Sequence, residues 1–491
     1  MGATTVKSMD RRQFLGSAAA LCSAAALSAH AAQKRMNVLH IISDDLCNHL
    51  GCYGDPMVKS PNIDRLAARG VLFQNAYCQF PLCNPSRASF MTGLRPDTIK
   101  LYDNQKHFRD EIQDAVTIAQ SFQKAGYSTA RVGKIYHYGV PRQIGTDGLD
   151  DPASWEQRVN PKGRDIDDIG IVEVLELGPD GNARTVTGKR LEDTGGTLSW
   201  LASDGVDSDQ TDGKIAGTAI EMLEARAKED KPFYLAVGFF RPHTPYIAPK
   251  KYYEMYPRES IKVPKVAPNN KDLFPAPALG TQKPMQLAMS DDLKRAAIQA
   301  YSAATTFMDA QVGQLLDALD RLNLTDNTIV IFHGDHGYHL GEKNLWQKMS
   351  IFEESARVPL IISVPGSGAK GKDCTRPVEL VSLHKTLTDL CGINADSRTE
   401  GYSMKPLVKK PNAQWDHAAY SQVTRKIEGK DIMGRSVRTE RYRYTEWDEG
   451  RAGAELYDHE SDPHEMKNLA SDANQGSNLA KLQGLLRKGG K

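Results

Sequence analysis

Beyond residue 31 no run approaches the roughly 18 apolar residues needed to cross a membrane, which excludes an embedded protein. Neither sign of charge is in excess: 62 Lys+Arg against 61 Asp+Glu give a formal net charge of +1. That balance excludes the basic footprint of a nucleic-acid binder and the steering of a polyanion by net charge, so an anionic partner must be met by cations gathered locally. A disulfide framework is missing too. The 7 cysteines, at 22, 47, 52, 78, 83, 374 and 391, are odd in number and do not have zinc-site spacing. What is present, 40% hydrophobic and 25% charged over 491 residues, is the composition of a soluble globular chain, enough for one large α/β unit with a smaller appendage.

The first 31 residues read as an address. Asp10-Arg11-Arg12-Gln13-Phe14-Leu15 opens a twin-arginine pattern, and an Ala-rich stretch without charge leads to Ala29-His30-Ala31, an A-x-A cleavage site. The expectation is a Tat signal over 1–31 and a periplasmic or secreted mature protein. Loss of Lys7, Asp10, Arg11 and Arg12 would turn the net charge from +1 to −1.

Polar groups recur after buried strands. Residues 37–43 are an apolar, β-rich run ending in Asp44-Asp45, and Ser128–Val132 delivers Gly133-Lys134-Ile135-Tyr136-His137. Phe233–Phe240 ends in Arg241-Pro242-His243, and Ile329–Phe332 ends in His333-Gly334-Asp335-His336-Gly337-Tyr338, with Lys348 beyond. Functional groups at the carboxyl ends of parallel strands are the pattern of an α/β sheet flanked by helices. Helical spacing is evident over Pro61–Gly70, Thr117–Gly126, Lys214–Ala227, Asp291–Leu322 and Val378–Leu390. Residues 141–212 are polar and weakly periodic, a long surface insertion over the site with no assignable elements. Nine of the 25 prolines fall between Pro242 and Pro284, which reads as an irregular wrap. A boundary near 408–416 introduces a smaller unit, in which 436–446 alternates as one antiparallel strand of a meander ending near Leu456-Tyr457.

Cys83-Asn84-Pro85-Ser86-Arg87-Ala88-Ser89-Phe90-Met91-Thr92-Gly93 is the stretch these elements surround. Pro85 suits a first helical turn, Ala88, Phe90 and Met91 can bury one face, and Gly93 supplies a left-handed stop. Cys83 is expected just before the helix, where free N–H groups and the dipole favour a tetrahedral oxyanion. Asp44, Asp45, Asp335 and His336, from two strand ends that a sheet can place side by side, suit a hard divalent cation, Ca²⁺ or Mg²⁺ rather than zinc.

The loop Cys83-x-Pro85-Ser86-Arg87 resembles the signature of the type I sulfatases, formylglycine-dependent members of the alkaline phosphatase superfamily, and the strand-end residues above match the same pattern. More narrowly, Gly51-Cys-Tyr-Gly-Asp, Ser60-Pro-Asn-Ile-Asp-Arg-Leu, Arg241-Pro-His-Thr-Pro, Ile432-Met-Gly-Arg-Ser-Val-Arg-Thr and Glu455-Leu-Tyr-Asp resemble the bacterial iduronate-2-sulfatases. The resemblance implies a large, mixed but mostly parallel sheet flanked by helices over 32–410, and a small antiparallel α+β subdomain over 411–491. It implies that a maturation enzyme converts Cys83 to formylglycine, which ligates the cation with Asp44, Asp45, Asp335 and His336 and attacks sulfur as its geminal diol. Arg87 would orient the diol, and Lys134 and Lys348 would hold the sulfuryl oxygens. His137 would act as base, and His243 or Lys348 would protonate the leaving oxygen. The implied substrate is a sulfated glycan or small sulfate ester, above all the 2-O-sulfate of a terminal iduronate. Lys348, Arg241 and the 141–212 region are expected to meet its carboxylate. Tyr338 stands where the iduronate enzymes carry tryptophan, and is expected to face the sugar. A phosphate or phosphonate ester hydrolase of the same superfamily and a non-catalytic glycan-binding relative are the competing readings.

Overall fold

Apolar runs of four to ten residues, rich in β-branched and aromatic side chains, form the middle of an eight-stranded sheet. The computed structural model describes residues 1–2, 35–190 and 193–489; the Tat signal expected of residues 1–31 lies, from residue 3 on, outside the described residues. In chain order the strands are β1 (Asn37–Asp44), β2 (Val71–Phe73), β3 (Ser128–Gly133), β4 (Gln157–Val159), β5 (Phe233–Pro242), β6 (Thr328–Gly334), β7 (Leu360–Ser363) and β8 (Lys372–Cys374), arranged β8-β2-β7-β6-β1-β5-β3-β4. β6, β1, β5, β3 and β4 run parallel, whereas β7 is antiparallel to both β6 and β2. The register Ser43↔Gly334 brings the ends of β1 and β6 level, as the acids at 44, 45 and 335 require.

Helices cover both faces. α1 (Pro61–Arg69), α4 (Thr211–Arg226) and α5 (Asp291–Arg321) pack on one, where Leu39 and Ile41 of β1 meet Ile63, Ile215 and Met308. α2 (Cys83–Thr92), α3 (Ile118–Lys124) and α6 (Leu383–Leu390) lie together, and Phe90 of α2 rests against His333 of β6. α3 starts on a capping box, Thr117 with Gln120, the two-way bond that satisfies its first free donors. α2 departs from the one-faced expectation. All ten of its residues are buried, because the sheet lies beneath it and α6 beside it.

Three further expectations are corrected. The 141–212 region is not without elements: Gln157–Val159 extends the central sheet as β4, and Glu173–Leu177, Ala183–Val186 and Ser199–Ser203 join Tyr246–Pro249 in a second, four-stranded sheet. These strands are short and half exposed, so no apolar run marks them. Residues 436–446 are two strands, not one. β10 (Lys430–Arg438) and β11 (Tyr442–Trp447) are joined by a turn in which Thr439 N–H donates to Tyr442, and alternation on both sides hides it. Val378–Glu379, read as the start of a helix, pairs instead as a strand with Ala76–Tyr77.

With β9 (Ala419–Ile427) and β12 (Ala454–Asp458), β10 and β11 form a C-terminal antiparallel meander covered by α7 (Gly476–Gly489). The described residues from Asn37 on form one compact unit. Arg443 of β11 joins the meander to the body through a buried fork, donating to Glu465 and to Glu353. Among the described residues no helix is long and apolar enough to cross a membrane.

Candidate active site

Four parallel strands end at one place. β1 supplies Asp44 and Asp45, β3 leads into Lys134 and His137, β5 ends beside His243, and β6 leads into Asp335 and His336. Ligand atoms of Asp44, Asp45, Cys83 and His243, and again of Asp44, Cys83, Asp335 and His336, lie within 4.8 Å of one another. The turn at the end of β3 depends on two glycines. A Cβ on Gly238 would stand 1.9 Å from the Lys134 carbonyl oxygen, and Gly133 takes φ 74° against the Gly238 carbonyl.

Asp45 has a left-handed backbone, φ 62°, unusual away from glycine. Its surroundings hold it there. Its N–H donates to Asp335 Oδ1 (3.0 Å), and its carbonyl accepts from the Tyr301 hydroxyl (2.8 Å) on α5. Such strain persists only where neighbours over-determine it, and here the effect is to aim the carboxylate at Cys83.

Cys83 is the first residue of α2, not the residue before it, and is fully buried. Its sulfur lies 3.1 Å from Lys348 Nζ and 3.4 Å from His336 Nε2, with His137 close by. Burial pushes the thiol up, but Lys134, Lys348 and His336 outweigh burial and hold it well below its ordinary value. The helix end is less open than expected. Asn84 N–H donates to Asn104 Oδ1 (3.0 Å), Pro85 has no N–H, and Ser86 N–H goes to the Leu82 carbonyl, so the helix offers mainly its dipole.

Arg87 is buried beneath the acids, with Nε on Asp335 (2.9 Å), Nη2 on Asp44 (2.9 Å) and Nη1 on the carbonyls of Lys134 (2.6 Å) and Ile135 (3.1 Å). It clamps the two carboxylates and the β3 turn, and its hydrogen bonds all go there rather than to residue 83. Lys134 Nζ reaches Asp44 Oδ2 and Lys348 Nζ reaches Asp45 Oδ1, each at 2.5 Å. Burial and Cys83 push the Asp44 carboxyl up, but Lys134, Arg87 and His243 hold it well below the usual range. Asp335 goes the other way, raised by burial against Arg87 and His336.

The ring nitrogens are assigned by their outer bonds. His336 Nδ1 faces the Gly337 carbonyl (2.9 Å) and His243 Nδ1 the Thr244 carbonyl (2.6 Å), so in each ring Nδ1 carries a proton and Nε2 turns inward. Burial lowers the pKa of His137 against the opposing pull of Cys83, with Lys134 adding to burial, which leaves it neutral near pH 7. The residues fit a hard divalent cation. Carboxylate oxygens dominate the donor set, and Asp45 Oδ2 is buried with no hydrogen-bond partner, an orphan such an ion would satisfy.

A cavity of about 560 Å³ opens over the site, with His137, His243 and Lys348 in its wall. Two expected substrate contacts are not there. Tyr338 is buried, its hydroxyl bonded to Tyr246 (2.7 Å) and its ring stacked on Tyr301, and Trp346 stands in the cavity wall instead. Arg241 is also buried, donating to Asp165 Oδ2 (2.5 Å) and the Ile247 carbonyl, which fixes the β5 end instead of facing a ligand. From 141–212 the cavity receives Gly195 and Gly196, which carry no charge. Asn104, Lys283, Trp346 and Gln347 line it unannounced, because irregular segments supply them and periodicity is blind there. Beneath the site an unforeseen chain of bonds runs Tyr234 hydroxyl, His40, His333, Gly334 carbonyl, with 2.7 Å between the two rings. Burial keeps both rings neutral, so every link has one donor and one acceptor.

A sheet of this order, with a buried sulfur, three acids, three imidazoles and two lysines gathered where its strands end, is the arrangement of an ester hydrolase of the alkaline phosphatase type. The chain belongs to the sulfatase family: the Sulfatase family model matches residues 36–393, and that of the N-sulphoglucosamine sulphohydrolase C-terminal region matches 341–489. It is 34% identical to iduronate 2-sulfatase of Homo sapiens, covering 91% of this chain and 93% of that one. It is 33% identical to a sulfatase of Formosa agariphila, covering 92% and 86%. The fold also superposes on a phosphonate monoester hydrolase of Agrobacterium radiobacter with a TM-score of 0.74, at 23% identity over 92% of this chain and 96% of that one.

Proposed function

We propose that this sulfate ester hydrolase removes O-sulfate from sulfated carbohydrates, with the 2-O-sulfate of a terminal iduronate as its preferred substrate. The observation that carries the chemistry is the Cys83 sulfur set among Lys348, His336 and His137 at the start of a buried helix. The preference rests on likeness to iduronate 2-sulfatase over nearly the whole of both chains. Cys83, oxidised to formylglycine by a maturation enzyme, would supply as its hydrate the hydroxyl that attacks sulfur. A Ca²⁺ or Mg²⁺ ion on Asp44, Asp45, Asp335, His336 and residue 83 would offset the charge of the sulfuryl oxygens. Lys134 and Lys348 hold those oxygens as charge builds in the transition state, helped by the dipole of α2. His243, its Nδ1 tied to Thr244, turns Nε2 toward the leaving oxygen, and His243 or the Lys348 ammonium gives that oxygen its proton as the S–O bond breaks. His137, neutral at physiological pH, takes the proton from the second hydroxyl so that sulfate departs and the aldehyde returns.

The test is kcat/KM on terminal 2-O-sulfated iduronate against 6-O-sulfated glucosamine, choline sulfate and an aryl sulfate, with the matching phosphate esters in parallel. The uronate is expected to be the best of them; another sulfate at the head overturns the preference, and a phosphate at the head overturns the chemistry. Cys83→Ala is expected to abolish turnover, and peptide mass spectrometry to find the aldehyde at residue 83 in active enzyme. We also assign residues 1–31 to Tat export, so Arg11 and Arg12 both changed to Lys should hold the chain in the cytoplasm on fractionation.

A further inference from the structure

The cavity wall carries two lysines, Lys348 and Lys283, and neither aspartate nor glutamate is among its lining residues. Lys348 is committed to the reacting centre through Asp45 and Cys83. Lys283 is not. Its ammonium donates to the Gly196 carbonyl (2.7 Å) and to Gln347 Oε1 (2.9 Å), two neutral acceptors, and it has no acidic partner within ion-pair distance among the described residues. Gln286 Nε2 donates to the same Gln347 oxygen (3.1 Å), which fixes the acceptor and with it the lysine. A half-buried ammonium without a counter-charge is costly, and it is tolerated most readily where a ligand brings the missing anion. Burial and the neighbouring Lys348 both lower its pKa, the sign of a cation pressed by another cation across the same space.

We propose that Lys283 recognises a second anionic group of the substrate, a carboxylate or a further sulfate carried by the same sugar, while Lys348 and Lys134 hold the sulfate that is cleaved. In a 2-O-sulfated uronate the carboxylate stands across the ring from the sulfate, which matches one cation at the floor and one in the wall. The assignment rests on the sulfate-ester reading of the site and replaces Arg241, whose guanidinium is tied to Asp165.

The experiment compares wild type with Lys283→Gln on three substrates: a 2-O-sulfated iduronate disaccharide, glucosamine bearing N- and 6-O-sulfates, and 4-nitrophenyl sulfate, which has one anion. The ratio of kcat/KM between a dianion and 4-nitrophenyl sulfate should fall roughly 10- to 100-fold, mostly through KM, the worth of one charge-assisted hydrogen bond. Which dianion falls tells carboxylate from sulfate, and Lys283→Arg should recover part of the ratio. Unchanged ratios for both dianions overturn the proposal, even if all three rates drop together. Calorimetric titration of the uronate disaccharide into Cys83→Ala, with and without Lys283→Gln, separates this from the function itself. Weaker binding in the double variant supports the role of Lys283 whatever the turnover, equal binding overturns it, and a wild type inert on every sulfate ester sinks the function reading instead.

Discussion

Arg87 shows how much of the site one residue can carry. Its fork spans Asp44 and Asp335 while its remaining donors hold the carbonyls of the β3 turn, all out of contact with water. Lysine has one ammonium and no planar fork, so Arg87→Lys leaves a buried carboxylate and a carbonyl unpaired. We expect it to lower stability by about 3–5 kcal/mol, the usual cost of breaking a buried pair. Cation affinity should fall with it, read by titration of Ca²⁺ against thermal unfolding. The residue types were legible in the sequence: acids, imidazoles and lysines after apolar runs, and Cys-x-Pro-Ser-Arg as a unit. Contact partners were not. Nothing in Arg241 or Tyr338 says that Asp165 and Tyr246 lie beside them, since those partners come from distant segments.

At the scale of elements, β3 and β5 must approach closely for Lys134 to reach Asp44, and Gly238 is what permits it. Gly238→Ala places a Cβ 1.9 Å from the Lys134 carbonyl oxygen, backbone that cannot swing aside. Overpacking of this kind costs about 1–3 kcal/mol. Activity should fall further than stability does, because the displaced turn carries Lys134 and His137; a variant with wild-type turnover would refute this. α6 secures the far end of α2 through His384, whose Nδ1 meets the Thr92 carbonyl (3.0 Å) and Nε2 the Ser121 hydroxyl (2.9 Å). Burial lowers its pKa to about 4. Because the folded value lies below the unfolded one, its contribution is complete above about pH 6.5 and is lost as pH falls toward 4. In denaturant unfolding, the stability gap between wild type and His384→Gln should narrow by about 1.4 kcal/mol per pH unit over that window. Strands and helices with strong periodicity were legible at this scale. The short strands of residues 173–203 and the turn at 439–441 were not, because three to five half-exposed residues leave no pattern to count.

For the molecule as a whole, a cation on Asp44, Asp45, Asp335 and His336 would tie β1 to β6 and should stabilise the entire compact unit. Chelation is expected to abolish activity, with Ca²⁺ or Mg²⁺ restoring it, and to lower stability by about 2.7 kcal/mol relative to enzyme at a hundred times the dissociation constant. Stoichiometric zinc by elemental analysis would contradict the oxygen-rich donor set. The complete burial of α2 has a further consequence, in the order of events during synthesis. Cys83 has no exposed surface once His336, 253 residues later, has closed over it. At roughly 5–20 residues per second, the ribosome takes on the order of 10–50 s to cover that distance. An enzyme that oxidised Cys83, as the proposed chemistry requires, would therefore have to catch a nascent or still unfolded chain. On the proposed chemistry, whether a given molecule ever became active would be decided by a race between modification and folding, and a chain that folded first would stay a thiol for as long as it stayed folded.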